Sequence, residues 1–226
     1  MVDFPIFDGG TMIEVLTGLR PGEHPWLEQA YRLRHRVFVE ERHWEELRRP
    51  DGREIDQFDG PGAVHHLAMH HDDVLGYQRF VSTLGPHLLG DVHPHLCARP
   101  YPKGPHVWEW TRYCVAPSAR GKQMAGDVAS DLMAAALEWA LPLGIGEFVL
   151  EFNPIWINRF LDLGYTVRPL GLPQMMSGEP VVAVHMKATP ATLKATRASR
   201  RISGSVLSAA ARASLEPSPR RAGALS

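Results

Sequence analysis

The loop that follows a turn at Gly52 concentrates negative charge. Its sequence REIDQFD, residues 53–59, places Glu54, Asp56 and Asp59 within six positions. Carboxylates this close together can hold a cationic group of a ligand or accept a proton. The alternative is a solvated acidic surface loop, which is the commoner fate of an isolated Asp-x-x-Asp pair.

A second candidate for chemistry lies in CVAPSARGKQMAG, residues 114–126. There a predicted strand runs into a long helix, with Arg120 and Lys122 beside the turn. Free backbone N–H groups at a helix start, next to basic side chains, can hold a pyrophosphate. An ordinary strand-to-helix turn would have a similar composition, so the segment alone does not decide between the two.

Four histidines invite comparison with a metal site: His65, His66, His70 and His71. Adjacent residues of a strand point to opposite faces of a sheet, and no cysteine or carboxylate completes a ligand set. We therefore predict no metal site. Structural roles are expected for Cys97, Cys114 and Ser118.

The hydrophobic pattern predicts the elements that must position these groups. Helical spacing of apolar residues predicts an amphipathic helix over 25–46 and a second helix, with the clearer apolar stripe, over 121–141. Apolar runs bounded by turn residues predict strands. The predicted strands are 63–70, 74–83, 106–116, 147–153, 165–170 and 180–188, with a short helix at 154–164. This order predicts an α/β domain with helices flanking a mixed, largely antiparallel sheet.

Composition suits one domain. Of the 226 residues, 44% are hydrophobic, enough for a single core, which we place at residues 1–189. From Pro190 onward seven basic residues stand against one acidic residue. That segment, 190–226, has few bulky apolar residues, so we expect disorder there, or partial helix.

The charge and cysteine content limit the partners. A net charge of −1 with a basic C-terminal segment leaves an acidic body, which argues against nucleic acid as a partner. No stretch reaches the roughly 18 apolar residues of a membrane span. Two cysteines and the absence of a basic, apolar leader predict a cytoplasmic protein. The oligomeric state stays open.

The segment 114–126, followed by EWAL and FNPIWINRFLDLGY, resembles the C-terminal half of the GNAT acyltransferases. In that family an Arg-x-x-Gly-x-Gly/Ala turn binds the pyrophosphate of coenzyme A, and an Asn before the later helix lies near the thioester. A bulge in the central strand splays two strands and lets the thioester enter. The resemblance implies an acyl-donor site made by Arg112, Val115, Arg120, Gly121, Lys122 and Asn153.

The N-terminal half narrows the resemblance to one family. Charged and aromatic residues follow one another in the order found in acyl-homoserine-lactone synthases, the autoinducer synthases of bacterial quorum sensing. They are Arg34-x-x-x-Phe38, Trp44, Asp56-x-x-Asp59, Arg79 and Glu109-x-x-Arg112. The loop RRPDGREIDQFD is most similar to the rhizobial branch, some of whose members use acyl-CoA. The resemblance covers about residues 25–188 and implies a GNAT-like sheet with splayed central strands.

The resemblance also implies the substrates. They are S-adenosylmethionine and an acyl thioester, either acyl-CoA, which we favour, or an acyl carrier protein thioester, with no tightly bound cofactor. The sulfonium and ammonium of S-adenosylmethionine need carboxylates, and its carboxylate needs an arginine. The implied binding set is Arg34, Phe38, Trp44, Asp56, Asp59 and Arg79.

The chemistry would be acylation of the α-amine, then lactone closure with loss of methylthioadenosine. Glu109 is the first choice for the base and Asp59 the second, while Arg112 or backbone N–H groups would stabilise the oxyanion. Glu109 and Arg112 lie three apart, so only a bulge would bring both to one face, and a structural ion pair is the alternative. A GNAT-type N-acyltransferase acting on another amine is the alternative function.

Overall fold

A computed structural model describes residues 11–120 and 127–216 of the chain. Its strands form one mixed sheet in the order β1-β2-β3-β4-β5-β8-β6, with a short β7 beside β8. Among these strands only β4 and β5 pair in parallel. The strands are β1 (Met12–Thr17), β2 (Ala63–His70), β3 (Asp73–Ser82), β4 (Val107–Val115), β5 (Glu147–Phe152), β6 (Thr166–Pro169), β7 (Gln174–Met176) and β8 (Glu179–Lys187). The predicted mixed, largely antiparallel α/β sheet is confirmed.

Helices cover both faces of the sheet. They are α1 (Pro25–Arg34), α2 (Leu88–Asp91), α3 (Val128–Ala140), α4 (Ile157–Asp162), α5 (Pro190–Arg200) and α6 (Ala209–Leu215). Close packing of α3 on β3 requires Gly76, because a Cβ there would lie 2.6 Å from Val128. The side-chain amide of Gln78 donates to the carbonyl of Leu132 at 2.8 Å on the same face. No helix in the described ranges is long and apolar enough to cross a membrane.

The first helix is shorter than the pattern predicts. α1 ends at Arg34, and the chain continues as a π-helical segment, His35–Glu41, in which the Arg42 N–H donates to the Val37 carbonyl. His43 then has a positive φ of 57° and turns the chain back. The prediction of one helix over 25–46 is therefore wrong after Arg34. A wider helical turn changes the apolar spacing too little for the sequence to reveal it.

Two strands escaped the sequence pattern. β1 pairs antiparallel with β2 at one edge of the sheet, although the predicted order begins with a helix. Three consecutive residues of β1, Glu14 to Leu16, are all half-buried, so the two-residue alternation is weak. β7 has only three residues, too few to show any period.

The segment after residue 189 is built into the body. α5 begins with a capping box formed by Thr189 and Thr192, and Val206 and Leu207 are buried. The N–H of Ile13 donates to the carbonyl of Val206 at 2.9 Å, which ties this segment to β1. Residues 190–216 thus contain two helices, α5 and α6, and the chain between them packs on β1.

Glu138 of α3 anchors this C-terminal segment. Its carboxylate, almost fully buried, accepts hydrogen bonds from Arg197 at 2.7 Å, from the Ser205 hydroxyl and from the Val206 N–H at 3.1 Å. One side chain thus satisfies donors from both α5 and the chain that follows it.

We expect Glu138→Ala to lower the free energy of unfolding by about 1–3 kcal/mol, because buried donors lose their acceptor. Chemical denaturation would measure the change. The matched control is Lys194→Ala, an exposed position on α5. Equal stability of the two variants would contradict the anchoring role.

Candidate active site

Six charged side chains meet between α1, the acidic loop and strands β3 and β4. Arg34 and Arg79 are among the largest fully buried side chains of the protein. Because a buried charge must be paired, each guanidinium contacts carboxylates directly. The network consists of the arginines Arg34, Arg79 and Arg112 and the carboxylates Glu54, Asp56 and Asp59. Its formal charges balance.

Asp59 is the centre of this network. Its carboxylate accepts two hydrogen bonds from Arg34, at 2.7 and 2.9 Å, and one from Arg79 at 2.7 Å. The backbone N–H of Asp56 donates to it at 2.9 Å. Burial alone would raise the pKa of Asp59, but the two guanidinium groups hold that pKa well below its usual range. Asp59 is therefore held as an anion by its two arginines, an environment that favours Glu109 over Asp59 as the base.

Glu54 is the member of the network that the predicted site omitted. It accepts from Arg34 Nε at 2.6 Å and from Arg112 Nε at 3.1 Å. Burial opposes ionisation, yet these two arginines lower the pKa of Glu54 to about 2. Its place in the acidic loop, two residues before Asp56, was the feature of the sequence that could have identified Glu54 as a member of the site.

Only the rim of the network is open to a ligand. Side chains of Asp56 and Arg112 are 12% and 8% exposed, whereas those of Arg34, Arg79 and Asp59 are at 0%. Asp56 accepts from Arg79 at 2.6 Å and from Arg112 at 2.9 Å. The inner charges thus hold the two outer groups in place.

Arg112 owes its position to a β-bulge. The register between β3 and β4 shifts between Tyr77, opposite Cys114, and Arg79, opposite Thr111, so that β4 has one extra residue. Arg112 itself has a positive φ of 55°. Such a backbone costs on the order of 1–3 kcal/mol and is kept at functional sites. The predicted bulge is confirmed.

β4 and β5 separate next to this bulge. They pair at three positions only, the last being Glu109 opposite Val149. Beyond that pair the two strands splay, as the resemblance implied. Val115 ends β4 at the open end. Asn153 follows β5 there, and its side-chain oxygen caps the Ile155 N–H at 3.1 Å.

Glu109 and Arg112 do not form an ion pair. Arg112 turns to Glu54 and Asp56, while Glu109 accepts the backbone N–H groups of Leu88 and Leu89 at 2.9 and 2.6 Å. The bulge does bring Arg112 to the face of Arg79 and Glu109, since Arg79 and Arg112 both bind Asp56. The alternative of a Glu109–Arg112 ion pair is therefore wrong. Burial raises the pKa of Glu109 to about 7.

Phe38 and Trp44 form an aromatic wall beside the rim. Their rings are stacked, with centroids 5.3 Å apart and an interplanar angle of 9°. The backbone N–H of Trp44 donates to the backbone carbonyl of Phe38 at 3.0 Å, which closes the turn between them. The Arg112 guanidinium lies 5.9 Å from the Phe38 ring, so the wall and the charged rim are in contact.

The predicted phosphate-binding turn is described only in part. Arg120 is exposed, donates to the Val115 carbonyl at 2.9 Å and pairs with Glu41 at 2.8 Å. Gly121 and Lys122 lie outside the described residues.

The histidines of β2 have local partners. His65 Nδ1 lies 2.6 Å from the Tyr77 hydroxyl, and His66 Nδ1 lies 3.1 Å from the Gln78 amide. The Tyr77 hydroxyl also accepts a hydrogen bond from Arg34 at 3.4 Å. After Glu54, Tyr77 is thus the second residue beside the charged network that the sequence did not reveal. Within the described ranges no group of histidine, cysteine and carboxylate side chains is arranged to hold a metal ion.

The network makes stability depend on pH. The pKa of Glu54 is lower in the folded chain than the ordinary 4.5, so its contribution is present above about pH 4.5 and is lost as pH falls towards 2. We expect Glu54→Gln to lower the free energy of unfolding by about 3 kcal/mol at pH 7, since the buried Arg34 loses one of its two carboxylate partners and Arg112 loses one as well. The difference in the free energy of unfolding between Glu54→Gln and the parent protein should shrink below pH 4.5.

Denaturation in urea across pH 2–7 measures both effects. The control is Glu45→Gln, an exposed carboxylate paired with Arg48, which should leave the dependence unchanged. A constant difference between Glu54→Gln and the parent at all pH values would contradict the assignment.

Comparison with known proteins agrees with this geometry. Residues 20–196 match the family model described as autoinducer synthase. The chain is 42% identical to an isovaleryl-homoserine lactone synthase of Bradyrhizobium diazoefficiens, over 74% of this chain and 75% of that one. It is 32% identical to an acyl-homoserine-lactone synthase of Pseudomonas aeruginosa, over 78% and 87% of the two chains.

Solved structures give the same relationship. The CoA-dependent acyl-homoserine lactone synthase BjaI, with SAM and isopentyl-CoA, superposes with a TM-score of 0.80 and 37% identity over 88% of this chain and 93% of that one. An N-acetyltransferase of Lactobacillus plantarum, 22% identical with a TM-score of 0.52, shares the fold. The GNAT-like architecture and the resemblance to the rhizobial branch are confirmed. The chain therefore belongs to the autoinducer synthase family of acyltransferases.

Proposed function

We propose that this chain makes an acyl-homoserine lactone from S-adenosylmethionine and an acyl-CoA. The observation that carries the proposal is the balanced network of buried arginines and carboxylates that presents Asp56 and Arg112 beside the splayed strands. Two binding sites of different chemistry therefore adjoin each other. One suits a zwitterion with an extra positive charge, and the other admits a thioester.

The rim suits the charged end of S-adenosylmethionine. Asp56 would hold the α-ammonium, and Arg112 would hold the carboxylate. Phe38 and Trp44 would face the sulfonium or adenine, a contact worth up to about 2 kcal/mol without water. The buried Arg34, Asp59 and Arg79 act by fixing the rim and need not touch the substrate.

The gap between the separating strands β4 and β5 suits the acyl donor. Backbone groups of β4 and β5 past Glu109 and Val149 lack each other as partners, so N–H groups there can meet the developing oxyanion. Val115 and Asn153 flank the open end. Arg120, with Gly121 and Lys122 next in sequence, would bind the CoA phosphates.

The acyl group itself would be short. Four aromatic rings lie together near the point where β4 and β5 separate. The ring centroid of Trp110 is 5.7 Å from that of Phe148 and 6.3 Å from that of Phe160, and the centroids of Phe152 and Phe160 are 5.4 Å apart. Such a filled space leaves little depth for a long chain. The relative that makes an isovaleryl lactone supports a short, branched acyl group here.

Glu109 is proposed as the base that frees the α-amine. An amino acid α-amine titrates near pH ~8, and a carboxyl with a pKa of about 7 is well matched to it. In the second step the substrate carboxylate attacks its own γ-carbon and expels methylthioadenosine. The protein then has only to fold the substrate back on itself, so a nucleophilic side chain is unnecessary.

We place this activity in the cytoplasm. The two cysteines, Cys97 and Cys114, are both free, which is typical of a reducing compartment.

The decisive experiment incubates the purified chain with S-adenosylmethionine and a series of acyl-CoAs. We expect release of methylthioadenosine and a lactone whose mass identifies the acyl group, with short branched donors the best substrates. Acyl carrier protein thioesters form the parallel series, and a higher kcat/KM for them would reassign the donor. An acylated amine without methylthioadenosine would instead indicate the alternative GNAT-type N-acyltransferase.

We expect Asp56→Asn to weaken binding of S-adenosylmethionine roughly 10- to 100-fold, because a charge-assisted contact is lost. Calorimetry measures the Kd. The matched control is Asp51→Asn, an exposed position just before the loop, whose carboxylate pairs with the half-buried Arg53. Unchanged binding by Asp56→Asn would contradict the proposed orientation.

A further inference from the structure

Strand β5 carries two glutamate–histidine pairs that look alike. Glu147 Oε2 lies 2.6 Å from His185 Nε2, and Glu151 Oε2 lies 2.6 Å from His93 Nδ1. The two glutamates are four residues apart on one strand, so both point to the same face of the sheet.

The remaining oxygens of these glutamates differ. Glu147 Oε1 accepts from Lys187 at 2.9 Å, which completes a structural pair. Glu151 Oε1 is buried without a hydrogen-bond partner among the described residues, on a side chain only 9% exposed. A buried carboxylate oxygen needs a donor, so an open one marks a place where a ligand can bind.

Glu151 lies where β4 and β5 separate. The last paired residues are Glu109 and Val149, and Glu151 is the next residue of β5 on that face. One segment holds both carboxylates, because the N–H groups of Leu88 and Leu89 in α2 bind Glu109, while His93 in the loop after α2 binds Glu151. The free oxygen is therefore at the entrance that the thioester would use.

The charge of Glu151 is felt by its neighbours. After burial, it is the next cause that raises the pKa of Glu109, and it also raises that of Cys97. The titratable groups that face Glu151 are thus His93, Cys97 and Glu109. Two carboxylates close enough to interact can take different protonation states and different roles.

Two such groups can divide the proton transfers of acyl transfer from a thioester. The α-ammonium must lose one proton to attack and a second to become an amide, and the departing thiolate must gain one. A single carboxylate that still holds the first proton cannot take the second.

We propose that Glu151 is a catalytic residue of acyl transfer, which rests on the function proposed above. After Glu109 has accepted the first proton, the amine nitrogen bonds to the thioester carbon. Glu151 Oε1 then takes the second proton from that nitrogen and delivers it to the thiolate as the C–S bond breaks, giving the amide and free thiol. His93 is a positioning residue that fixes Oε2.

The test compares Glu151→Gln with Glu147→Gln, its counterpart on the same strand. We expect Glu151→Gln to lower kcat roughly 100-fold, the usual effect of losing an acid–base group, with KM for acyl-CoA nearly unchanged. Glu147→Gln should keep the parent kcat. Calorimetry should give both variants the parent Kd for S-adenosylmethionine.

A merely structural role would predict a different pattern. If Glu151→Gln turns over at the parent rate, or if Glu147→Gln is equally impaired, the proposal is overturned. Should Glu151→Gln fail to fold, Glu151→Asp and His93→Gln take its place, and parent kcat in both would also overturn it. Lack of lactone from the parent chain itself would refute the proposed function instead.

Discussion

The burial of two arginines, Arg34 and Arg79, is the constraint on which the site depends. A guanidinium cannot lose its charge inside a protein, so each one removed from water must meet carboxylates at close range. Glu54, Asp56 and Asp59 provide them from a single loop. The loop is thereby fastened to α1 and to two strands, although it contains no regular secondary structure of its own.

This fastening explains how a loop can present a rigid binding surface. The inner pairs of Asp59 are inaccessible, and their geometry sets that of Asp56 and Arg112 at the rim. The bulge in β4 contributes from the other side, because without the extra residue Arg112 would not point to the loop. Charge pairing and backbone irregularity therefore cooperate at one place.

The same irregularity prepares the acyl-donor side. The bulge and the parallel pairing of β4 with β5 lie within a few residues, and the two strands separate there. The short α2 and the loop after it then place backbone N–H groups on Glu109 and a histidine on Glu151. Acid–base groups and thioester entrance are thus assembled from strands, whereas the substrate-binding rim is assembled from a loop.

The sequence by itself determined the α/β class, most strand positions and the set of charged and aromatic residues, because hydrophobic period and residue type are local properties. It also indicated the family, through the spacing of those residues. Only the tertiary structure decided which charges are sealed and which are open, that Arg112 faces Glu54 and not Glu109, and that residues 190–216 pack on the body. Those outcomes depend on contacts between distant segments, and on a π-helical segment and a bulge that shift side-chain directions without changing the residue pattern.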